Sequence, residues 1–508
     1  MDVARSGVFG QLLIFLAIVV VTAIYLFFHK RYYYWKKWGV HYEKPFFIFG
    51  NLSYLMRKST WIKFKEWGEK NKRDYFGLYL TWQPLLIVQS PTITRNILVK
   101  DHQHFQDRYS YTPYESDPLG SLNLFSVKSP LWLNLRHELT PMFTTNRLKM
   151  LTELMNLNAK ELVNKIKRDH IESDKRVDMK EMFSMYSSDT VGYTVFGIYV
   201  SSLKDPSSPL WYITQHMVKW TVWRGFEFTM IFLLPFIARL FRLTIFTIPA
   251  TDYVKNLFWN TVNERKATGV TTSKDLVNQL LQLKQNLKLP DNASPQLADD
   301  IMLAQAAVFI LGSVETSSTI ISYCLHELAY HPDEQETLYR EIDDAIKTTG
   351  KEVLNYDDLM NLKYLSACIH ETLRKYPPLP YMERKCNKDY RLNENFVIEA
   401  GIPVFINVVG IHYNEEFYPE PEQWKPERMM NMSDNDNRNF TYLPFGEGPR
   451  SCIGKRYGMM QIRAAIAQMV HKYKFEPTPD EPYLVDANPY TFILSPNSGG
   501  QVKFIERK

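Results

Sequence analysis

Residues 441–454 read Thr-Tyr-Leu-Pro-Phe-Gly-Glu-Gly-Pro-Arg-Ser-Cys-Ile-Gly, and Cys452 within them is one of only four cysteines in 508 residues. Several chemistries compete for a thiol so closely surrounded. Gly446, Gly448 and Ser451 nearly have the spacing of a phosphate-cradling turn. Glu447 would repel phosphate, however, Pro449 has no N–H to donate, and no βαβ pattern surrounds them. A cysteine nucleophile needs a histidine base, and sequence places none of the twelve histidines beside it. A buried structural cysteine is the bland alternative. The joint pattern favours a metal ligand. Glycines at 446 and 448 permit positive φ and close approach of backbone to a flat object, and KRYGMMQIRAAIAQMVHKYKF begins a helix just after Cys452. Free amides at a helix N-terminus favour a thiolate and lower its pKa.

One anionic sulfur as the sole protein ligand is how a heme-thiolate iron is held. The stretch resembles the heme-binding pattern of the cytochrome P450 monooxygenases, Phe-Gly-x-Gly-x-Arg-x-Cys-x-Gly, at all six fixed positions: Phe445, Gly446, Gly448, Arg450, Cys452 and Gly454. At average amino-acid usage such a match arises by chance in a chain this long on the order of a few times per million. The resemblance implies a mainly α fold with smaller β-sheets. It also implies heme b held by Cys452, with Phe445 shielding the sulfur, Gly446 and Gly448 admitting the porphyrin edge, and Arg450 meeting a propionate.

Working outward, further stretches fit the same family. In ETLR, Glu371 and Arg374 share a helical face where carboxylate and guanidinium can pair. Glu447 and Arg450 spell the same Glu-x-x-Arg, so context has to carry the assignment. RKYPPLPYMERKC and FYPEPEQWKPERM come after ETLR, and the resemblance implies that Arg428 joins Glu371 and Arg374 in a buried structural network. In ILGSVETSS, residues Gly312, Val314, Glu315 and Thr316 match the oxygen-site helix, which in the family widens beside the iron; Ser313 stands where a glycine is usual. A hydroxyl beside a carboxylate can relay protons, so Thr316 and Glu315 are the catalytic candidates. The bland reading is a Ser/Thr cluster bonding back to the helix. Trp132 and Arg136 in WLNLR, Arg384 in PYMERKC, Arg108 in FQDR and Arg450 are the residues expected to meet two heme propionates, charges that cannot be buried bare. By family position the substrate pocket draws on Tyr109 to Phe125, residues 210–245, Phe309, Leu379 to Met382 and Phe492 to Leu494, and core packing accounts equally well for Phe309 and Phe492.

Composition agrees with a large globular chain: 45% hydrophobic, 14% aromatic, 23% charged, with a net charge of +5. That charge is too small and dispersed for a nucleic-acid reader. Cys324, Cys368, Cys386 and Cys452 show no Cys-x-x-Cys spacing, which leaves a zinc site or a disulfide framework poorly supported. From Ser6 to Phe28 there is no charge, and LLIFLAIVVVTAIYLFF suffices for a bilayer span. A cleaved signal peptide is the rival reading, but the run is long and lacks a clear cleavage site. Lys30, Arg31, Lys36 and Lys37 then place the rest of the chain on the cytosolic side, with Tyr32, Tyr33, Tyr34, Trp35 and Trp38 at headgroup level. Four Asn-x-Ser/Thr triplets, at Asn51, Asn292, Asn431 and Asn439, are expected to stay unglycosylated.

The expected organisation is thus an anchor over residues 1–29 and one catalytic domain over 30–508. Strands are expected at 75–80, 84–89 and 402–409, and one long helix at 295–331. The apolar segment 228–246, interrupted by Pro235, Arg239 and Arg242, reads either as a buried helix pair or as an element dipping into the membrane. Stretches such as DPLGSLNLFSV, LTPMFTTNRLKM and QAAVFILGSVETSS are similar to insect microsomal members that oxidise foreign compounds. The resemblance implies an endoplasmic-reticulum enzyme that oxidises small apolar substrates such as plant toxins or insecticides. Its electrons come from NADPH through a separate flavoprotein reductase, with cytochrome b5 as a possible second donor. The reductase is expected near Lys455, Arg456 and Arg136. Alternatives are an endogenous hormone or lipid hydroxylase, a heme-thiolate isomerase working without outside electrons, and a non-catalytic heme binder.

Overall fold

The computed structural model describes residues 2–53, 58–173, 176–198, 201–218, 220–268, 276–287, 289, 294–479, 482–483, 487–496 and 501–507; Asn292 lies outside them. The chain is mostly helical, with three small sheets. The helices that build the site are α1 (Asp2–Tyr32), α2 (Leu131–Leu139), α3 (Thr145–Ile166), α4 (Met179–Val191), α5 (Val222–Leu233), α6 (Pro235–Phe241), α7 (Pro295–Tyr330), α8 (Lys363–Lys375) and α9 (Lys455–Lys472). Strands β1 (Tyr75–Leu80), β2 (Gln83–Val88), β4 (Tyr381–Lys385) and β7 (Pro403–Asn407) form one sheet in the order β1-β2-β7-β4. In it β2 and β7 run parallel, pairing Leu86 with Val404, while β4 is antiparallel to β7, pairing Tyr381 with Asn407. Strands β3 (Val177–Asp178), β8 (Tyr473–Pro477) and β9 (Gln501–Glu506) form a second sheet, and β5 (Tyr390–Asn393) with β6 (Phe396–Ile398) a hairpin.

Helix α7 organises the body. Ser294 caps it by accepting from Leu297 N–H, and Pro295 sits at its first turn, where a missing N–H costs nothing. Its 36 residues span about 54 Å. Residues on nearly all its faces are buried, which explains why it lacks an amphipathic stripe. The expected widening is not seen: α7 runs as regular α-helix through Gly312–Thr316. Ser313 supplies a side chain and a hydrogen bond to a neighbouring helix, where glycine would leave the turn slack.

The N-terminal helix α1 exposes Phe9 through Phe27 almost without interruption and is long and apolar enough to cross a membrane. Its end is built into the body. Phe28 is buried, and Trp35, expected at headgroup level, is fully buried instead. The Trp35 indole donates to Leu78 O at 2.9 Å, and its ring fills the space a side chain at Gly77 would need. Burying an indole with its N–H satisfied outweighs leaving it at an interface.

The segment 228–246 divides at Leu234. In α5, Phe228, Met230, Ile231, Phe232 and Leu233 are buried, whereas α6 exposes Phe236, Leu240 and Phe241. Trp82 lies within ring contact of Phe27 and Phe28 in α1 and of Phe236 in α6, and Phe46, Phe47 and Phe49 are exposed. The exposed apolar half therefore shares a side of the molecule with the end of the anchor helix.

Candidate active site

The Cys452 turn is closed by its own backbone: Cys452 N–H donates to Phe445 O at 2.8 Å and Ser451 N–H to Gly448 O at 3.0 Å. Gly446 and Gly448 both have positive φ, +68° and +74°. A Cβ on Gly448 would meet Leu98 O at 2.0 Å, and one on Gly446 would meet the Met382 sulfur at 2.9 Å. The glycines are thus required by the turn and by neighbouring protein atoms, a more direct cause than approach to a cofactor; Gly448 does not line the cavity. Gly454 precedes α9 as its N-cap.

The turn forms the floor of a cavity of about 400 Å³. Cys452 sits deep in the protein, yet its surface is accessible because it faces that cavity. Burial pushes the thiol up; the Gly454 amide, Arg136, Lys455 and Arg108 pull the other way without overcoming it. Among the described residues no cluster of His, Cys, Asp and Glu could hold a metal by several ligands, so Cys452 stands alone on the floor.

Across the cavity stands α7. Phe309, Gly312, Ser313 and Thr316 line the wall, and a Cβ on Gly312 would find nothing within 4 Å. Thr316 donates to Gly312 O at 2.6 Å, the back-bonding of the bland reading, while facing the cavity. Glu315 does not face it. Its carboxylate is buried 3.5 Å from Lys180 Nζ on α4 and accepts from the Trp220 indole at 3.3 Å; Lys180 also donates to Glu315 O, Ser318 and Thr319. Positions one apart diverge by about 100° on the helix, and here Thr316 is on the cavity side while Glu315 is turned to α4. Aromatic rings complete the walls: Phe492 stacks on Phe232 at 3.9 Å, and Phe309 meets Phe143 edge to face at 5.9 Å. Leu379 lines the cavity, as do Phe228 and Phe246.

At the rim, Arg108, Lys128, Arg384 and Arg450 crowd around two carboxylates, Asp107 and Glu383. Arg450 donates to Gln106 O and Val127 O, stacks on Trp132 at 4.1 Å and lies 3.5 Å from Asp107. Arg384 donates to Glu383 O, and Glu383 accepts from Ser110 N–H and Oγ. Burial and mutual repulsion push Arg450 down to about 8 and Arg384 to about 9. Arg108 lies over Phe125, and its buried Nε has no partner among the described residues. Four cations against two carboxylates, with an orphaned guanidinium donor, fit a guest carrying two negative charges. Arg136 donates to Ser451 O at 2.8 Å and lines the cavity, so its guanidinium faces inward.

Beneath the floor, Arg374 grips Glu371 through two bonds of 2.9 and 2.8 Å with both residues fully buried, and Arg428 Nε lies 3.1 Å from the same carboxylate. Arg374 also donates to His412 O; His412 Nδ1 donates to Arg374 O, and its Nε2 accepts from Leu443 N–H at 2.9 Å. The network thus reaches the strand of chain leading into Phe445. The decoy Glu447 is not Arg450's partner, whose donors go to carbonyls.

A cavity with one cysteine on its floor, a small-residue helix above and a cationic rim is what the family pattern requires. The family model for cytochrome P450 matches residues 40–504. The chain belongs to the cytochrome P450 family. It is similar to cytochrome P450 6k1 of Blattella germanica, 33% identical over 97% of each chain. It is also similar to cytochrome P450 6l1 of the same organism (31%, 94% of this chain and 93% of the relative) and to probable cytochrome P450 6d5 of Drosophila melanogaster (31%, 97% and 99%). The P450 is a heme-dependent monooxygenase by family, and P450s draw electrons from a redox partner. Sequence reasoning missed Lys180, Thr194, Tyr457 and Gln461, which gather around α7 from distant elements with no shared motif; Trp220 falls in the expected 210–245 stretch, without its bond to Glu315. Phe228 and Phe232 were legible as an i, i+4 aromatic pair.

Proposed function

We propose that this P450 is a membrane-anchored monooxygenase of the unspecific, xenobiotic-oxidising kind. On this reading it holds heme b through Cys452 and takes NADPH electrons from a flavoprotein reductase, with cytochrome b5 as an accessory donor. The observation that carries the reading is the lone, accessible Cys452 facing Gly312 and Thr316 across an aromatic-walled cavity. When bound, the heme supplies oxygen activation, placing one atom of O₂ in the substrate and releasing the other as water. The chain does the rest. Arg108, Arg136, Arg384 and Arg450 neutralise the propionates, with Trp132 backing Arg450; Phe445 and Gly446 border the sulfur. Thr316 presents its Oγ to the cavity, with its proton held on Gly312 O until the hydroxyl turns. Phe309, Leu379, Phe492, Phe228 and Phe232 exclude water and orient an apolar substrate. Glu315 is turned toward Lys180 and does not line the cavity. Substrate-dependent NADPH consumption with added reductase separates a monooxygenase from a heme-thiolate isomerase, which needs no outside electrons.

The anchor and the exposed α6 face support residence on a membrane, with the endoplasmic reticulum and the cytosolic side as the proposed location. Lys455 and Arg456 remain the proposed reductase contacts, and turnover falling with added salt supports them. The deciding measurement is the reduced carbon monoxide difference spectrum. The intact protein is expected to give the red-shifted thiolate band and Cys452→Ser to lose it; absence of the band in the intact protein overturns the reading.

A further inference from the structure

Gln461 lies on α9, nine residues after Cys452, and is fully buried. Its Oε1 accepts from Ser313 Oγ at 3.0 Å and its backbone carbonyl from Tyr186 Oη at 3.0 Å, but its amide Nε2 has no partner among the described residues. Exchanging the amide's oxygen and nitrogen would only move the unpaired atom. A buried amide group is ordinarily satisfied, by protein or by ordered water.

The surroundings suit water. Tyr457 Oη donates to Thr194 Oγ1 at 2.7 Å, and Thr194 in turn donates to Thr190 O. Thr194 belongs to a π-helical turn, Gly192–Phe196, that widens the end of α4 beside the cavity, a feature that often marks a functional site. Thr194, Ser313 and Tyr457 line the same cavity as Thr316. A water needs two to four polar partners, and the amide plus three hydroxyls provide them. Ser313 is three residues from Thr316, so the two share a helix face.

We propose that Gln461, Ser313, Tyr457 and Thr194 hold an ordered water at the cavity edge, and that this hydrated cluster supplies protons to the Thr316 side of the cavity in place of the inward-facing carboxylate that Glu315 does not provide. A proton taken from solvent water enters the cluster, each hydroxyl accepts one proton and releases another, and one leaves through Ser313 toward Thr316. The cluster ends unchanged and no oxidant is consumed. Ser313 and Gln461 are positioning residues in this scheme. The proposal rests on the monooxygenase reading.

Two measurements on the full-length, heme-loaded protein test it. High-resolution density is expected to show a water within hydrogen-bonding distance of the Gln461 amide, and an empty site there overturns the proposal whatever the activity. With added reductase, Gln461→Leu and Ser313→Ala are expected to raise several-fold the share of NADPH electrons recovered as hydrogen peroxide. kcat for product falls, KM holds, and the carbon monoxide band stays at parental height. Ser313→Thr, which keeps the hydroxyl, retains parental coupling. Parental coupling in Gln461→Leu and Ser313→Ala, or peroxide rising only in step with loss of the carbon monoxide band, overturns it. Failure of the underlying reading would instead show as a missing band in the parent.

Discussion

The floor and the roof of the cavity are held by different physics. Below Cys452, charged groups fix position: Glu371 between Arg374 and Arg428, and His412 between Arg374 and Leu443. Above it, rings stack, with Phe232 on Phe492 and Phe228 alongside. One polar latch ties the roof down. Asp117 accepts from Gly120 N–H at 2.8 Å and Ile245 N–H at 2.6 Å, while Arg224 donates to Thr244 O at 3.0 Å and pairs with Glu227. Directional bonds between buried charges admit one geometry, whereas aromatic packing tolerates repacking at similar volume. A floor that admits one geometry suits a fixed cofactor, and a roof that can repack suits varied substrates.

The largest effect should come from breaking the floor. Glu371→Ala leaves the buried Arg374 and the half-buried Arg428 without their carboxylate, and removing one partner of a buried pair costs about 3–5 kcal/mol. We expect little folded, heme-loaded protein, read as the yield of the carbon monoxide band. In the roof, Phe232→Leu should cost under about 1.5 kcal/mol and shift KM with the band intact. Equal losses of band in the two variants would erase the distinction.

Legibility in the sequence followed the same division. Much of the floor lies in short motifs, Phe445 to Gly454, Glu371 with Arg374, and Arg428 after its prolines, whereas His412, 38 positions from Arg374, carries no such signal. The strands expected at 75–80 and 84–89, found at 75–80 and 83–88, were readable for a similar reason, since short apolar and aromatic runs are local. The roof was readable only as ranges: the expected pocket stretches 210–245 and Phe492 to Leu494 contain Phe228, Phe232 and Phe492, but its latch was not readable. Asp117 and residues 244–246 meet only in the folded chain, and an apolar run such as 228–246 has the same composition whether it faces a core or a membrane. Glu315 was misplaced because a motif gives residue types, while the direction of a side chain depends on helix phase and on Lys180, 135 positions away.

Acidity offers a second way to break the floor. Burial, with Arg374 nearby, holds His412 down to about 3 against 6.5 for the free side chain. The unfolded chain therefore binds a proton first. The stability His412 contributes is full above pH 6.5 and is lost as pH falls toward 3, at up to about 1.4 kcal/mol per pH unit. A protonated ring also cannot accept from Leu443 N–H. Loss of the thiolate band with falling pH should begin below 6.5, and His412→Gln, which retains an acceptor and does not titrate, should flatten that dependence.

In the roof the response to acid has the opposite sign. Burial raises Asp117 to about 6 against 3.8, with the Gly120, Ile245 and Phe246 amides pulling it back. A carboxyl with a raised folded pKa contributes stability that is full below about pH 4 and lost as pH rises through 6. Between pH 7 and 5, acid should therefore loosen the floor at His412 and tighten the roof at Asp117. Hydrogen exchange at residues 243–247, corrected for intrinsic rate, should slow relative to the rest of the chain at pH 5. Asp117→Ala leaves those amides without an acceptor, at about 1–3 kcal/mol, and should abolish that slowing and speed substrate release without touching the thiolate band. If the thiolate band falls in Asp117→Ala, or if roof and floor respond to acid with the same sign, the two are one cooperative unit and the division between them is wrong.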